Sequence, residues 1–98
     1  MRAQPADAQG YEYLEHRPGS FYRELFVRGV NLRASRLVGW MESEGMTAEQ
    51  AAADRRLPLA AVLEAVRYVR QNHDFLMAEL KRVQRAATQR TPRRSRRA

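Results

Sequence analysis

Apolar residues recur at helical spacing soon after the first third of the chain. Ala34, Leu37, Val38 and Met41 occupy positions i, i+3, i+4 and i+7, the pattern of an amphipathic helix with one buried face. This pattern predicts a first helix that ends near Gly45.

A second, shorter helix is predicted from Ala48 to about Arg55. Thr47 is followed three residues later by Gln50, which is the spacing of a capping box. In that motif the hydroxyl accepts a backbone N–H, and the glutamine side chain reaches back to the capping residue. Pro58 then suits the first position of a further helix, where its missing N–H costs nothing. A short helix, a short turn and a longer helix form the outline of a helix-turn-helix.

The longest periodic signal follows Pro58, where residues alternate in steps of three and four like the a and d positions of a coiled coil. This apolar seam consists of Leu59, Val62, Val66, Val69, His73, Leu76, Leu80 and Val83. A continuous helix over 59–88 would be about 45 Å long, whereas a globule made of residues 11–84 is only about 30 Å across. We therefore expect the helix to overhang its own domain.

The overhang predicts a partner interface formed by Val69, His73, Leu76, Leu80 and Val83. The seam stays in phase across Asn72-His73-Asp74, which favours a continuous or gently bent helix. The alternative is a break at this point, with Asp74 capping a new helix.

The N-terminal part predicts a short β-hairpin. The apolar triplets Leu25–Val27 and Val30–Leu32 flank a two-residue loop, Arg28-Gly29. Since an isolated two-stranded ribbon is unstable in water, this hairpin must pack on helices or extend a sheet in another chain. The fold class expected is mainly α: a short N-terminal β-hairpin, then a three-helix helix-turn-helix unit with a long C-terminal helix.

Charge is distributed unevenly along the chain. The formal net charge is +7, from 18 Lys and Arg against 11 Asp and Glu. Six arginines lie in residues 85–98, which contain no acid, so residues 1–84 are nearly neutral. We therefore divide the chain into a disordered N-terminus (1–10), a folded domain (11–84) and a basic tail (85–98).

Composition argues against an enzyme. The chain has no cysteine and two histidines, which excludes disulfides and thiolate chemistry and leaves no metal-ligand spacing. No pair of acids has a spacing that suggests acid–base catalysis, and there is no glycine-rich phosphate loop. We expect no catalytic residue, metal or cofactor. No apolar run spans a membrane and no secretory signal is present, so a cytoplasmic protein is expected.

Two regions are candidates for nucleic-acid binding. In a DNA-binding helix-turn-helix, the start of the longer helix enters the major groove. Among its outward residues only Arg67 suits a strong base contact, and Glu64 would repel phosphate. The arginine tail suits salt-dependent phosphate binding without sequence information. The predicted nucleic-acid-binding residues are Arg55, Arg56, Ala60, Ala61, Arg67, Arg90, Arg93, Arg94, Arg96 and Arg97.

Three segments, 25–32, 45–52 and 57–72, resemble the bacterial family called domain of unknown function 433, VapB-like antitoxins. The family pattern has G-x-(S/T)-x-E-E/Q opening a helix, then L-P/T-x-x-x-V-x-x-A-(L/V)-x-Y. The resemblance covers about residues 11–80, and its framework here is Gly45, Thr47, Leu57, Val62 and Tyr68. The chain departs from the family at Gly29-Val30-Asn31-Leu32, where many members carry Gly-Thr-Arg-Ile.

The resemblance implies a winged or helix-turn-helix DNA-binding domain, usually dimeric. Members are often encoded beside a PIN-like ribonuclease toxin that the C-terminal segment grips. The expected function is thus an antitoxin-like protein of a type II toxin–antitoxin system that binds operator DNA and such a toxin. The alternative is a non-enzymatic nucleic-acid- or ribosome-associated interaction protein that uses the arginine-rich tail.

Overall fold

The structure, a computed structural model, describes residues 10–90, with side chains as far as residue 88. It is mainly helical with a short N-terminal antiparallel hairpin, as the sequence predicts, and the hairpin is followed by four helices. The elements are β1 (Leu14–Glu15), β2 (Phe26–Val27), α1 (Ala34–Glu44), α2 (Ala48–Arg55), α3 (Leu59–Gln71) and α4 (His73–Arg90). Within residues 10–90 no helix is long and apolar enough to cross a membrane.

The core lies between α1 and α3, which form the most extensive helix–helix contact. The four apolar positions that predicted α1 are all buried, and they face Val62, Ala65 and other buried residues of α3. Helix α2 contributes Ala51 and Ala52, whose small side chains allow it to lie close to α3.

The predicted ends of the first two helices are confirmed. Gly45 ends α1 in the left-handed conformation with φ 65°, which glycine adopts without steric cost. At the start of α2, the Gln50 N–H donates to Thr47 Oγ1 at 3.1 Å, and the Thr47 N–H donates to Gln50 Oε1 at 2.9 Å. Pro58 is the capping residue of α3, one position before the helical position predicted for it.

The predicted hairpin partner of residues 25–27 is wrong. The chain does turn at Arg28-Gly29, but β2 pairs with β1, with Leu14 opposite Val27. The returning segment makes only an isolated bridge between Phe26 and Arg33, since it enters α1 at the next residue. A strand cannot continue there because the backbone is already committed to the helix.

The predicted continuity of the last helix is also wrong, because the helix breaks at Asn72. Asn72 has φ −120° and ψ 33°, outside the helical range. Its backbone N–H and its side-chain amide both donate to the Tyr68 carbonyl, each at 3.0 Å. Such side-chain bonds to the backbone compete with helix propagation. The Asn72 carbonyl then accepts the Leu76 N–H and begins α4.

Buried Glu24 fixes the start of α1. Its side chain is 2% exposed and accepts the Ser35 N–H at 2.9 Å and the Ser35 hydroxyl at 2.7 Å. Arg33 is the N-cap residue, but its side chain makes no hydrogen bond to the first turn of α1. Instead its guanidinium Nη1 lies 3.4 Å from Glu24 Oε2. A carboxylate at this end also interacts favourably with the helix dipole. Glu24 therefore caps α1 from the preceding loop.

Tyr68 anchors the same loop from α3. Its side chain is fully buried, and its hydroxyl accepts the Leu25 N–H at 3.2 Å. Burial raises the pKa of this phenol well above its ordinary value, so the hydroxyl stays neutral. Tyr68 thus fills the core with its ring and also provides a hydrogen-bond acceptor for the buried Leu25 N–H.

Replacing Glu24 by alanine is expected to lower the free energy of unfolding by about 3 kcal/mol, because it leaves the half-buried Ser35 amide and the Arg33 guanidinium without their acceptor. Urea denaturation followed by circular dichroism measures this change. Glu44→Ala removes an exposed carboxylate from the opposite end of α1 and should cost less than about 0.5 kcal/mol. Equal losses in the two variants would contradict the capping role.

Candidate nucleic-acid interface

Helix α2, the turn at residues 56–58 and helix α3 form the predicted helix-turn-helix. Arg56 closes α2 in the left-handed conformation with φ 58°. Its N–H donates to Ala53 O at 3.3 Å, and the Leu57 N–H donates to Ala52 O at 2.9 Å. Two bonds back into the last turn of α2 hold the connection, which leads into α3 at Leu59.

The solvent-facing side at the start of α3 is mainly apolar. Ala60 is exposed as predicted, and Leu59 and Leu63 are 39% and 51% exposed. Side chains of this kind can contact thymine methyl groups but cannot make hydrogen bonds to base edges. The first two turns of α3 therefore offer shape and apolar contact rather than polar base recognition.

Ala61 was predicted to contact nucleic acid, and this placement is wrong. Its side chain is 1% exposed and belongs to the core. On a helix, Ala61 shares a face with Ala65, one turn further on and also buried. The apolar pattern of this helix marks that face as inward, so Ala61 supports the packing of the unit instead.

Glu64 does face outward from the core, but the N-terminal segment covers it. Its two carboxylate oxygens accept the Glu12 N–H at 2.8 Å and the Tyr13 N–H at 2.7 Å. The carboxylate is therefore held in place by backbone donors. Its negative charge remains next to the surface where DNA would approach.

Arg67, the strongest predicted base-reading residue, also contacts the N-terminal segment. Its guanidinium donates to the Gly10 carbonyl at 3.0 Å and lies 4.6 Å from the centre of the Tyr11 ring. The Tyr11 hydroxyl donates to Gln71, one turn further along α3. Residues 10–13 therefore lie along the second half of α3, and Arg67 must leave this contact before it can reach a base.

The two arginines near the turn differ in their surroundings. The Arg55 guanidinium lies over the Trp40 ring at 4.4 Å from its centre, which ties α2 to α1. Arg56 is exposed and makes no side-chain hydrogen bond or ion pair with the described part of the chain. Arg56 is thus the guanidinium of this unit most readily available for a phosphate.

The folded part has opposite charges on two stretches of the chain. Residues 42–54 carry four acids and no base: Glu42, Glu44, Glu49 and Asp54. All four are exposed. Residues 17–36 carry five arginines against one acid, Glu24, which is buried. Arg17 and Arg28 pair with Glu15 of β1, and Arg33 pairs with Glu24, so Arg23 and Arg36 are the arginines of this stretch that lack an ion pair among the described residues.

The predicted partner interface is only partly covered by the chain itself. Val69, Leu76 and Val83 are half-buried, whereas Leu80 is 48% exposed. His73 is exposed at the helix break, with Nδ1 3.5 Å from Asp74. The seam is neither fully buried in its own domain nor fully free.

Helix α4 packs on the N-terminal segment through a polar contact that sequence reasoning missed. Glu79 is 5% exposed and accepts the Arg23 N–H at 2.8 Å. Arg82 donates to the same carboxylate at 2.8 Å and to the Phe21 carbonyl, and it lies over the Phe21 ring. The spacing of Phe75, Glu79 and Arg82 places all three on one face of a helix, and this pattern is the feature of the sequence that could have predicted the contact.

Five of the predicted nucleic-acid-binding residues lie at the end of the chain. Arg93, Arg94, Arg96 and Arg97 fall outside the described residues, and so does the side chain of Arg90. Among the residues that are described, no group of three or more His, Cys, Asp or Glu side chains is placed to hold a metal ion.

Comparisons with known protein families, with curated proteins and with solved structures found no match for this chain.

Acid is expected to weaken the contact between α4 and the N-terminal segment. The hydrogen bond from Arg82 lowers the pKa of Glu79, burial opposes this, and the Arg23 amide lowers it further. Because the pKa is lower in the folded state, the carboxylate stabilises the fold above the ordinary glutamate value of 4.5, and this contribution is lost as the pH falls through the folded pKa. The free energy of unfolding should therefore fall less steeply with acid in Glu79→Gln than in the wild type.

Denaturant titrations from neutral pH down to acid measure these slopes, with replacement of an exposed glutamate, Glu44→Gln, as the matched control. Parallel pH profiles for the wild type and Glu79→Gln would show that Glu79 does not carry this dependence.

Proposed function

We propose that the chain is a DNA-binding protein of the antitoxin type, without enzymatic activity, that acts as a homodimer. The observation that carries the proposal is the unit of α2, turn and α3, whose starting face is exposed and lies beside the free guanidinium of Arg56. In units of this shape the second helix lies in the major groove.

In this proposal, the residues of the unit have different roles. Arg56 binds a phosphate and sets the position of the unit on the duplex, while Ala60 and Leu63 contact the edges of the bases in the groove. Arg67 contacts DNA only after it releases Gly10, so binding includes a rearrangement of residues 10–13. The exposed acids of α2 oppose non-specific binding because they repel phosphates.

A homodimer is supported by an apolar groove between α1 and α3. This groove has a volume of about 270 Å³, and its lining includes Val69 and the oppositely charged Glu42 and Arg70. In a twofold dimer the same patch meets itself, so each Glu42 faces the partner's arginine. A single domain of this unit offers few base contacts, and a dimer doubles them.

A toxin partner is supported by the resemblance described above and by α4. Met77 and Leu80 are 44% and 48% exposed on α4, on the side away from Glu79. An amphipathic helix of this kind suits a hydrophobic groove on another protein. In this proposal α4 binds a PIN-like ribonuclease, and the basic tail approaches its acidic site.

One observation favours the alternative, a nucleic-acid- or ribosome-associated interaction protein that uses the tail. Glu64 and Arg67, the polar outward groups nearest the start of α3, are both engaged by residues 10–13. If they stay engaged, the domain has little means to read bases, and phosphate binding by the tail supplies the affinity.

Fluorescence anisotropy with the DNA upstream of the gene tests the proposal against a scrambled duplex. The wild type should bind its own upstream DNA more tightly. Arg56→Ala should weaken this binding about tenfold and lower the slope of log affinity against log salt concentration by about one, the loss of one phosphate contact. Lys81→Ala removes one exposed charge from α4 and serves as the control. Equal affinity for both duplexes, abolished by removing residues 91–98, would instead establish the alternative.

The dimer is tested by analytical ultracentrifugation. Val69→Asp places a charge in the groove between α1 and α3, and the expected result is a shift from dimer to monomer. Leu80→Asp lies on α4 and should leave the dimer intact, because that face is assigned to the toxin. A wild type that sediments as a monomer at all concentrations would exclude the homodimer.

A further inference from the structure

A small cavity beside the start of α1, outside the helix-turn-helix, is lined by side chains that can donate hydrogen bonds to an anion. It has a volume of about 250 Å³ and lies between the loop at residues 20–22, the segment at 31–33 and the first turn of α1. Pockets for drug-sized ligands measure roughly 300–1,000 Å³. The cavity therefore suits a small group rather than a whole nucleotide.

The cavity is lined by hydrogen-bond donors that the protein leaves available. Arg36 and Asn31 are exposed, and neither side chain makes a hydrogen bond or ion pair within the part of the chain that the structure describes. The Ser20 hydroxyl accepts the Tyr22 N–H at 3.0 Å, which leaves its own proton free to donate. The wall thus offers a guanidinium, an amide and a hydroxyl that lack protein acceptors.

Arg33 supplies a second guanidinium in a fixed orientation. It lies over the Tyr22 ring at 3.9 Å from its centre, and one nitrogen approaches Glu24 at 3.4 Å. Stacking on an aromatic ring restricts the plane of a guanidinium and still leaves most of its donors usable. Planar, bidentate donation from arginine is well suited to phosphate oxygens.

The buried carboxylate behind the cavity does not oppose an anion strongly. Glu24 is 2% exposed, and both of its oxygens accept hydrogen bonds, from the Ser35 N–H, the Ser35 hydroxyl and Arg33. Arg33 balances its charge, so Arg36 gives the cavity a net positive charge. Among the side chains that line the cavity there is no acid.

We propose that this cavity binds a phosphate group, held by Arg33 and Arg36 with Asn31 and Ser20 as further donors. The shared chemistry is a phosphate oxygen cluster, whether it belongs to a nucleic-acid backbone or to free phosphate. The site is separate from the exposed start of α3 and does not depend on DNA recognition by that helix.

The test is a titration of the ¹⁵N-labelled full chain with sodium phosphate, followed by NMR and compared with sodium chloride at equal ionic strength. Phosphate should shift the amides of residues 20–36 and the Arg36 Nε–H, and chloride should not. Arg36→Gln should weaken phosphate binding about tenfold, since a charge-assisted hydrogen bond is lost. Arg85→Gln, an exposed arginine on α4, should leave it unchanged.

Two results would overturn the site: identical shifts with phosphate and chloride, or phosphate binding that Arg36→Gln leaves intact. Because Arg36 is exposed and without described contacts, its replacement should not unfold the domain, and Asn31→Ala gives a second variant with an expected loss of a few fold.

A second arm adds a short duplex of unrelated sequence. If the duplex shifts the same amides and competes with phosphate, the bound group is a backbone phosphate; if only inorganic phosphate shifts them, the site takes free phosphate. Either result supports the site. Arg56→Ala separates the two proposals, since it should weaken operator binding and leave the phosphate shifts at residues 20–36 unchanged.

Discussion

Carboxylates that accept backbone amides hold the irregular N-terminal segment, residues 10–33, against the helices. Glu64 of α3 accepts amides at its beginning, and Glu79 of α4 accepts one near Phe21. Glu24 lies within the segment and accepts the amide of Ser35 at the start of α1. The sheet has only two residues in each strand. So short a ladder supplies few backbone bonds, and these charge-assisted bonds supplement it in holding the segment.

The same constraint shapes the candidate interface. Glu64 and Arg67 hold residues 10–13 along α3, so the segment occupies the polar half of the surface that a DNA-binding unit would use. To contact a base, Arg67 has to give up its hydrogen bond to the Gly10 carbonyl and its contact with the Tyr11 ring. A ligand that offers stronger acceptors, such as phosphate, competes better for it than a base edge does. In the DNA-binding function that we propose, the affinity of the unit is therefore coupled to the order of residues 10–13.

Sequence reasoning located the helices well because their spacing reports burial directly. Gly45 and the Thr47–Gln50 pair marked helix ends through local chemistry that needs no tertiary information. The pairing of β1 with β2 was not predictable in this way, since a two-residue strand at Leu14–Glu15 leaves almost no pattern. The sequence offers a break at residues 72–74 as the alternative to a continuous helix, but the in-phase seam favours continuity, whereas the bonds from Asn72 to the Tyr68 carbonyl decide the geometry. The hydrogen-bond partners of Glu24, Glu64 and Glu79 are distant in the sequence. The spacing of apolar residues along the chain therefore does not predict them.

The charge of the domain also has to be judged after folding. From composition, residues 1–84 are almost neutral and the tail carries the net charge. In the folded chain, buried Glu24 is paired with Arg33 and buried Glu79 with Arg82, so each acid compensates one arginine. Glu15 likewise pairs with Arg17 and Arg28, which leaves Arg23 and Arg36 as the arginines of residues 17–36 without an ion pair among the described residues. Uncompensated charge on the folded domain is therefore local: Arg36 lies at the start of α1, whereas residues 42–54 carry four exposed acids. Because salt screens exposed charges beyond about 10 Å at 0.1 M, each of these groups acts on a charged ligand only at short range.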